Sequence, residues 1–384
     1  MESAYLYQKS GLFFAQVADD IKDIAEREII SLGARDTRIA YRGISFKADL
    51  KTLYNINYCS RLASRLLAPL IKFDCHSERY LYKKALQVRW EDFIDPSMTF
   101  AVFSSVANSS IKHSRYAALC LKDAVVDRFK ENFNKRPSID RSNPDLWLNL
   151  HIENNEATIS IDTSGGSLHR RGYRKDAVAA PMIETLAAAI IEYSGWDRIS
   201  LLYDPFCGSG TLLCEAYLYA SNTPPGIFRQ RFGFERMPDF DREIWARVKE
   251  EAERKITPIK KGLISGSDIS PEAVRYALNN SAVIDRKGVI EITNKDIFDI
   301  EDIKDKIIIC NPPYGIRSGK DAGLAEFYRM LGDFLKQRCS GSTAYVYFGE
   351  RRYIKSVGLK PSWKRPLSNG GLDGRLVKYE MYFK

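Results

Sequence analysis

The five residues Asn311-Pro312-Pro313-Tyr314-Gly315 follow the apolar run KIIIC, and no other string in the sequence concentrates as much chemistry. Proline cannot extend a parallel ladder, so a strand must end there, and the carboxyl edge of an open α/β sheet is where ligands bind. The two prolines fix the Asn311 side chain and the Pro312 carbonyl. A carboxamide oxygen and a backbone carbonyl can together accept both protons of an exocyclic amine and aim its lone pair at an electrophile. Tyr314 offers a face on which a base can stack. Any pair of prolines also makes a rigid turn, so the string takes its meaning from its company.

That company consists of three more strand ends. Asp204-Pro205-Phe206-Cys207-Gly208-Ser209-Gly210-Thr211 lies between an apolar run and a helical pattern. Its glycines let backbone approach a ligand, and the helix start presents unpaired N–H groups. A plain turn is the alternative. Leu213 replaces the third glycine of a dinucleotide fingerprint, which weighs against nicotinamide cofactors. Asp268, in GSDIS, can accept both hydroxyls of a ribose, or else cap the helix that begins at Pro271, a task for which Ser270 is better placed. Asp296, in KDIF, can accept a proton from an adenine amino group or be a solvent-facing turn residue.

The elements that must hold these residues alternate. From Gly165 onward, ISLLYD (199–204), GLISGSD, VIEITNKD, KIIIC and STAYVYFG predict strands, separated by helices at TLLCEAYLYA, after Pro271 and around 322–336. This is the signature of a doubly wound parallel sheet. The stretch 222–261 looks inserted between its first two strands. Residues 1–164 read differently, as α+β: a strand at 12–18, a helix over 19–33, a β-rich stretch, and a helix over 50–67. A strand MTFAVFSSV follows, then a long helix after Ser114 with Ala117, Leu121, Ala124, Val125 and Phe129 on one face, and finally two strands around Glu153–Glu156. The expected domains are 1–55, 56–164 and 165–384.

Composition narrows the class. The 384 residues suffice for two or three domains, and 45% hydrophobic with 28% charged residues excludes a disordered or fibrous chain. No apolar run reaches the roughly 18 residues of a membrane helix. Seven cysteines without a CxxC pair argue against a disulfide framework or a zinc cluster, and a reducing cytoplasm is expected. The net charge of +9 favours a polyanionic partner, with an excess of +2 in residues 1–164 and +7 in 165–384.

DPFCGSG, GSDIS, KDIF and NPPYG, in that order, resemble the motifs of S-adenosylmethionine-dependent amino-methyltransferases. HRRGYRKDAVAAPMIETLAAAII, just before DPFCGSG, resembles the lead-in of the bacterial large-subunit (23S) rRNA guanine-N2 methyltransferase family, and NSSIKHSRYAALCLKDAVVDRF its THUMP module. The resemblance implies a Rossmann-like methyltransferase sheet preceded by a ferredoxin-like segment and a THUMP domain that grip structured RNA, with 23S rRNA or a large-subunit precursor as partner. It implies S-adenosylmethionine as methyl donor. Asp204, Phe206, Gly208, Gly210, Asp268, Asp296 and Pro181 would bind it, and Asn311, Pro312 and Tyr314 would carry catalysis. Asp268 lies farther from the glycine loop than the usual spacing of roughly 20 residues, which the insertion explains. Transfer to a tRNA guanine or to adenine N6, and a catalytically silent RNA-binding assembly factor, are the alternatives. Neither a membrane nor a protein partner is implied. Methyl transfer to an amine needs no metal and no cysteine nucleophile, so Cys207 is expected to pack beneath the loop. The histidines at 76, 113, 151 and 169 lack ligand spacing. Lys112, Arg115, Lys122, Arg128 and Lys130 either contact phosphates or form a solvated helix face.

Overall fold

A computed structural model describes residues 5–178, 181–314, 321–370 and 372–382. The chain divides into two compact units, residues 1–168 with 229–251, and residues 169–228 with 252–384.

The first unit carries α1 (Leu6–Ser10), β1 (Leu12–Gln16), α2 (Lys22–Ser31), β2 (Arg35–Ala40), β3 (Gly43–Lys47), α3 (Leu50–Cys59) and β4 (Arg65–Asp74). It continues with α4 (Glu78–Leu86), β5 (Thr99–Ala107), α5 (Ser114–Phe133), β6 (Ser138–Ile139), β7 (Leu146–Glu153) and β8 (Glu156–Asp162). All eight strands form one sheet in the order β2-β3-β1-β4-β8-β7-β5-β6, so β4 joins the ferredoxin-like and THUMP-like parts edge to edge. Position 55 falls within α3. The long helix forms as expected, and the five apolar residues of its predicted face are buried. Asn154 and Asn155, both at positive φ, make the tight β7–β8 turn that such residues favour.

One expectation fails here. The helix predicted over 50–67 stops at Cys59, and its last residues enter β4. Pairing on both edges of a ten-residue strand outweighs local helical periodicity, and Pro69 is accommodated where the β4–β8 register shifts.

Residues 229–251, from the expected insertion, belong to this first unit. Phe232, Phe234 and Trp245 pack with Tyr54 and Tyr58 of α3: Tyr54 stacks on Phe234 at 4.3 Å and Tyr58 meets Trp245 edge-on at 5.3 Å. A Cβ on Gly233 would stand 2.0 Å from the Asp162 carbonyl oxygen, so only glycine lets this segment approach the end of β8.

The second unit holds α6 (Glu184–Ser194), β9 (Leu202–Asp204) and α7 (Thr211–Ala220). After α8 (Arg242–Glu253), most of which belongs to the first unit, come β10 (Ile264–Asp268), α9 (Pro271–Ile284), β11 (Glu291–Asn294), β12 (Ile307–Cys310), α10 (Asp321–Arg338), β13 (Thr343–Phe348), β14 (Trp363–Pro366) and β15 (Arg375–Glu380). The sheet order is β11-β10-β9-β12-β13-β15-β14. The first five strands are parallel, and the β14–β15 hairpin, which sequence reasoning missed, closes the edge antiparallel. The first parallel strand is shorter than predicted: Ile199 is 81% exposed, in a turn where the Asp197 carboxylate accepts the Ile199 and Ser200 N–H groups.

Candidate active site

In the sheet order β11-β10-β9-β12, the strand ends carrying Asp296, Asp268, Asp204 and Asn311 are consecutive neighbours. Adjacent strands lie about 4.8 Å apart, so the four residues share one edge of the sheet. Chain order runs outward from β9 through β10 to β11 and then returns to β12 on the other side of β9. That reversal opens the crevice in which α/β sheets bind ligands.

The glycine loop rests on this edge. Gly208 adopts φ +54, and a Cβ there would meet nothing within 4 Å, which leaves room for a ligand against bare backbone. Gly210, at φ +81, precedes α7, and a Cβ on it would come within 3.1 Å of Ala277 on α9. The Gly208 N–H donates to Asp268 Oδ2 at 2.9 Å and the Ser270 N–H to Asp268 Oδ1 at 3.0 Å, so Asp268 ties the loop to β10 while each oxygen keeps acceptor capacity. Ser270 caps α9, its Oγ accepting the Ala273 N–H at 3.3 Å. Asp296 caps the short turn after β11, with Oδ1 accepting the Phe298 N–H at 3.0 Å. Cys207 is buried beneath the loop, and burial pushes its thiol far above the usual range, against any nucleophilic role.

Asp204 stands apart from the other strand-end acids, being 1% exposed. One carboxylate oxygen accepts the Phe206 N–H at 3.0 Å and the other has no partner. Burial raises its carboxyl to about 8; the Phe206 amide opposes the shift and the charge of Asp268 adds to it. Phe206 is half-buried and packs edge-on to Phe327 of α10.

At the end of β12, the side-chain oxygen of Asn311 is buried and accepts no hydrogen bond. Pro312 is buried, and the Pro313 carbonyl accepts the Tyr328 hydroxyl at 3.1 Å. Tyr328, fully buried on α10, stacks on Phe348 and Tyr353 at 5.2 Å. The Tyr314 ring lies against Gly349, where a Cβ would come within 2.6 Å of it. Gly315 lies outside the described residues.

The lead-in holds residues that sequence reasoning passed over. Asn280, buried on α9, accepts the Lys175 and Asp176 N–H groups at 2.7 and 3.1 Å and donates to the Asp176 and Ser209 carbonyls at 2.8 and 2.9 Å. It therefore splices the lead-in to the glycine loop. Its signal was an amide on the apolar helix face of Ala273, Ala277 and Ile284. Arg174 pairs with Glu184 at 3.0 Å and donates to the Thr211 hydroxyl at 3.1 Å. Arg171 and Tyr173 converge on the buried Glu215, with the Tyr173 hydroxyl 3.0 Å from its carboxylate. Pro181 precedes α6 and is half-buried, after the two residues that are not described.

Among the α5 cations, Arg128 is committed elsewhere: it grips Glu91 through two nitrogens at 2.6 and 2.8 Å and donates to the Leu86 carbonyl, which withdraws it from phosphate binding. Lys122 and Lys130 pair with Asp123 and Asp127.

Residues 171–378 match the family described as RMKL-like, methyltransferase domain; residues 75–162 match the THUMP domain, and residues 13–67 the RlmL ferredoxin-like domain. A Synechocystis sp. protein provisionally named an RNA methyltransferase, slr0064, is 38% identical over 96% of this chain and 97% of its own length. The ribosomal RNA large subunit methyltransferase K/L of Syntrophotalea carbinolica is 37% identical over 96% of this chain but 53% of its own, so the chain spans about half the length of that relative. The crystal structure of SMU.472, provisionally described as a methyltransferase and complexed with SAH, superimposes with a TM-score of 0.82 at 26% identity, covering 97% of this chain and 98% of that one. Three matched domains in unbroken succession, with full-length similarity to the Synechocystis protein, place the chain in the THUMP-containing, RMKL-like methyltransferase family.

Proposed function

We propose that this protein transfers a methyl group from S-adenosylmethionine to the exocyclic N2 of a guanosine in structured RNA, with 23S rRNA as the substrate. The observation that carries the reading is the buried, unpartnered side-chain oxygen of Asn311 at the end of β12. A buried acceptor without a donor costs roughly 1–3 kcal/mol, a cost that an amine proton of the substrate would remove. The THUMP domain and the naming of the K/L relative for large-subunit rRNA support the choice of RNA.

The glycine loop fits the donor. The open space over Gly208 admits a ligand against backbone, and Asp268 presents acceptors for ribose hydroxyls beside it. Gly210 holds the start of α7, while Asp204 supports the turn from below and Phe206 and Pro181 border the loop and the lead-in. Asp296 is placed to accept from the adenine amino group. S-adenosylmethionine, when bound, supplies an electrophilic methyl on a sulfonium. Asn311 and the Pro312 carbonyl then hold the two protons of the guanine amine, and Tyr314 stacks against the extruded base, whose unstacking costs a few kcal/mol. As the nitrogen acquires positive character its N–H groups become stronger donors, so these acceptors favour the transition state over the ground state.

Asn311→Ala should therefore slow single-turnover methylation on the order of 100-fold, a larger effect than its change in affinity for RNA or cofactor. A near-normal rate would remove Asn311 from the reaction. Mass spectrometry of the modified nucleosides in the product RNA identifies the atom, and methyl at adenine N6 would overturn the assignment to guanine N2.

A further inference from the structure

The positive charge of the second half is not spread over it. Residues 351–378 contain eight basic residues and one acidic residue, Asp373, an excess of +7 that equals the excess of the whole of 165–384. The folded chain gathers five of the eight, Arg351, Arg352, Lys355, Lys364 and Arg375, around a cleft of about 670 Å³. Asp373 pairs with Arg351 at 3.5 Å and also with Arg375, and Glu350 pairs with Arg352 at 2.8 Å. Five cations thus face two acids. Lys355 and Lys364 are exposed, and among the described residues neither has an ion-pair partner.

The cleft adjoins the candidate active site. Arg375 lies opposite Phe348, the last residue of β13, in the β13–β15 pairing; Gly349 follows directly, and the Tyr314 ring packs against it. The lining of Arg351, Arg352 and Lys355 begins two residues after that glycine. Concentrated like charge repels itself in the free protein and is relieved by a polyanion.

We infer that this cleft binds the phosphodiester backbone of the substrate RNA next to the methylated nucleotide, so that phosphate contacts set the strand's register while Asn311 and Tyr314 engage the base. The inference rests on the RNA-methyltransferase reading, but not on which base atom is methylated. The test is the salt dependence of binding to a fluorescently labelled large-subunit rRNA fragment, measured by anisotropy with the 384-residue chain. Lys355→Gln with Lys364→Gln should lower the slope of log K against log salt by about 1.4, since each single-strand phosphate that a lysine neutralises adds about 0.7 to it. Arg286→Gln with Lys287→Gln, removing two exposed charges from the turn after α9, should leave it unchanged. Calorimetric affinity for S-adenosylmethionine should be the same in all three proteins. An unchanged slope in the cleft variant, or an equal fall in the control, would overturn the proposal. Because the readout is binding, a failure to methylate guanine N2 would refute the reaction assignment without touching this result.

Discussion

Asp204 and Asn311 each bury an oxygen without a partner at neighbouring strand ends, yet only one of them can answer to pH. The Asp204 carboxyl rises to about 8 in the folded chain, against roughly 3.9 when unfolded. Between those values the native state holds a proton that the unfolded state has lost, so the contribution of Asp204 to stability falls as pH rises from about 4 to 8 and levels off above. Asp204→Asn keeps an acceptor for the Phe206 amide and removes the titration. The variant should gain on the parent by at least about 1 kcal/mol between pH 5 and pH 8.5 in urea unfolding, and parallel stability profiles would contradict the assignment. The sequence made both residues visible, since an acid or an amide followed by proline closes an apolar run. It did not show that Asp204 faces inward while Asp268 meets the loop, because side-chain direction at a strand end depends on which residue pairs last.

Strand ends were legible because proline, glycine and aspartate punctuate them; the parts that steady them were not. Tyr328 comes from α10 and Gly349 from the turn just after β13, and nothing local distinguishes Tyr328 from any other aromatic on an apolar helix face. Gly349→Ala tests whether the turn after β13 shapes the surface proposed to receive the base. A methyl group 2.6 Å from the Tyr314 ring must displace it. RNA affinity and turnover should then fall together by about five- to 150-fold, the equivalent of a stack worth roughly 1–3 kcal/mol, with cofactor affinity retained. Unaltered RNA methylation would detach Tyr314 from substrate binding. The same limit of local reading explains the helix predicted through residue 67, since only the partners on both edges of β4 reveal that segment as a strand. Strand β14 was missed for a related reason: three of the four residues in WKRP are exposed, so no alternation marks it.

At the scale of the molecule, the chain crosses between its two units three times, at residues 168, 228 and 251. A fragment starting at residue 165 keeps the parallel sheet but strips Tyr54 and Tyr58 from Phe232, Phe234 and Trp245, which are at most 8% exposed in the whole chain. That fragment should aggregate on size-exclusion chromatography. One in which residues 229–251 are also replaced by a Gly-Ser linker should run as a monomer and bind S-adenosylmethionine calorimetrically. Equal behaviour of the two fragments would show that the aromatic cluster is dispensable to the second unit. The interlock also sets an order of events during synthesis. The face of α3 that receives Phe234 and Trp245 is made early, yet the last residue that covers it, Trp245, emerges 77 positions after residue 168, about 4 to 15 s later at about 5–20 residues per second. For that interval a ribosome displays a THUMP-bearing unit with its aromatic seam uncovered while it is already building the other unit. Translation speed across residues 169–251 thus becomes a determinant of yield.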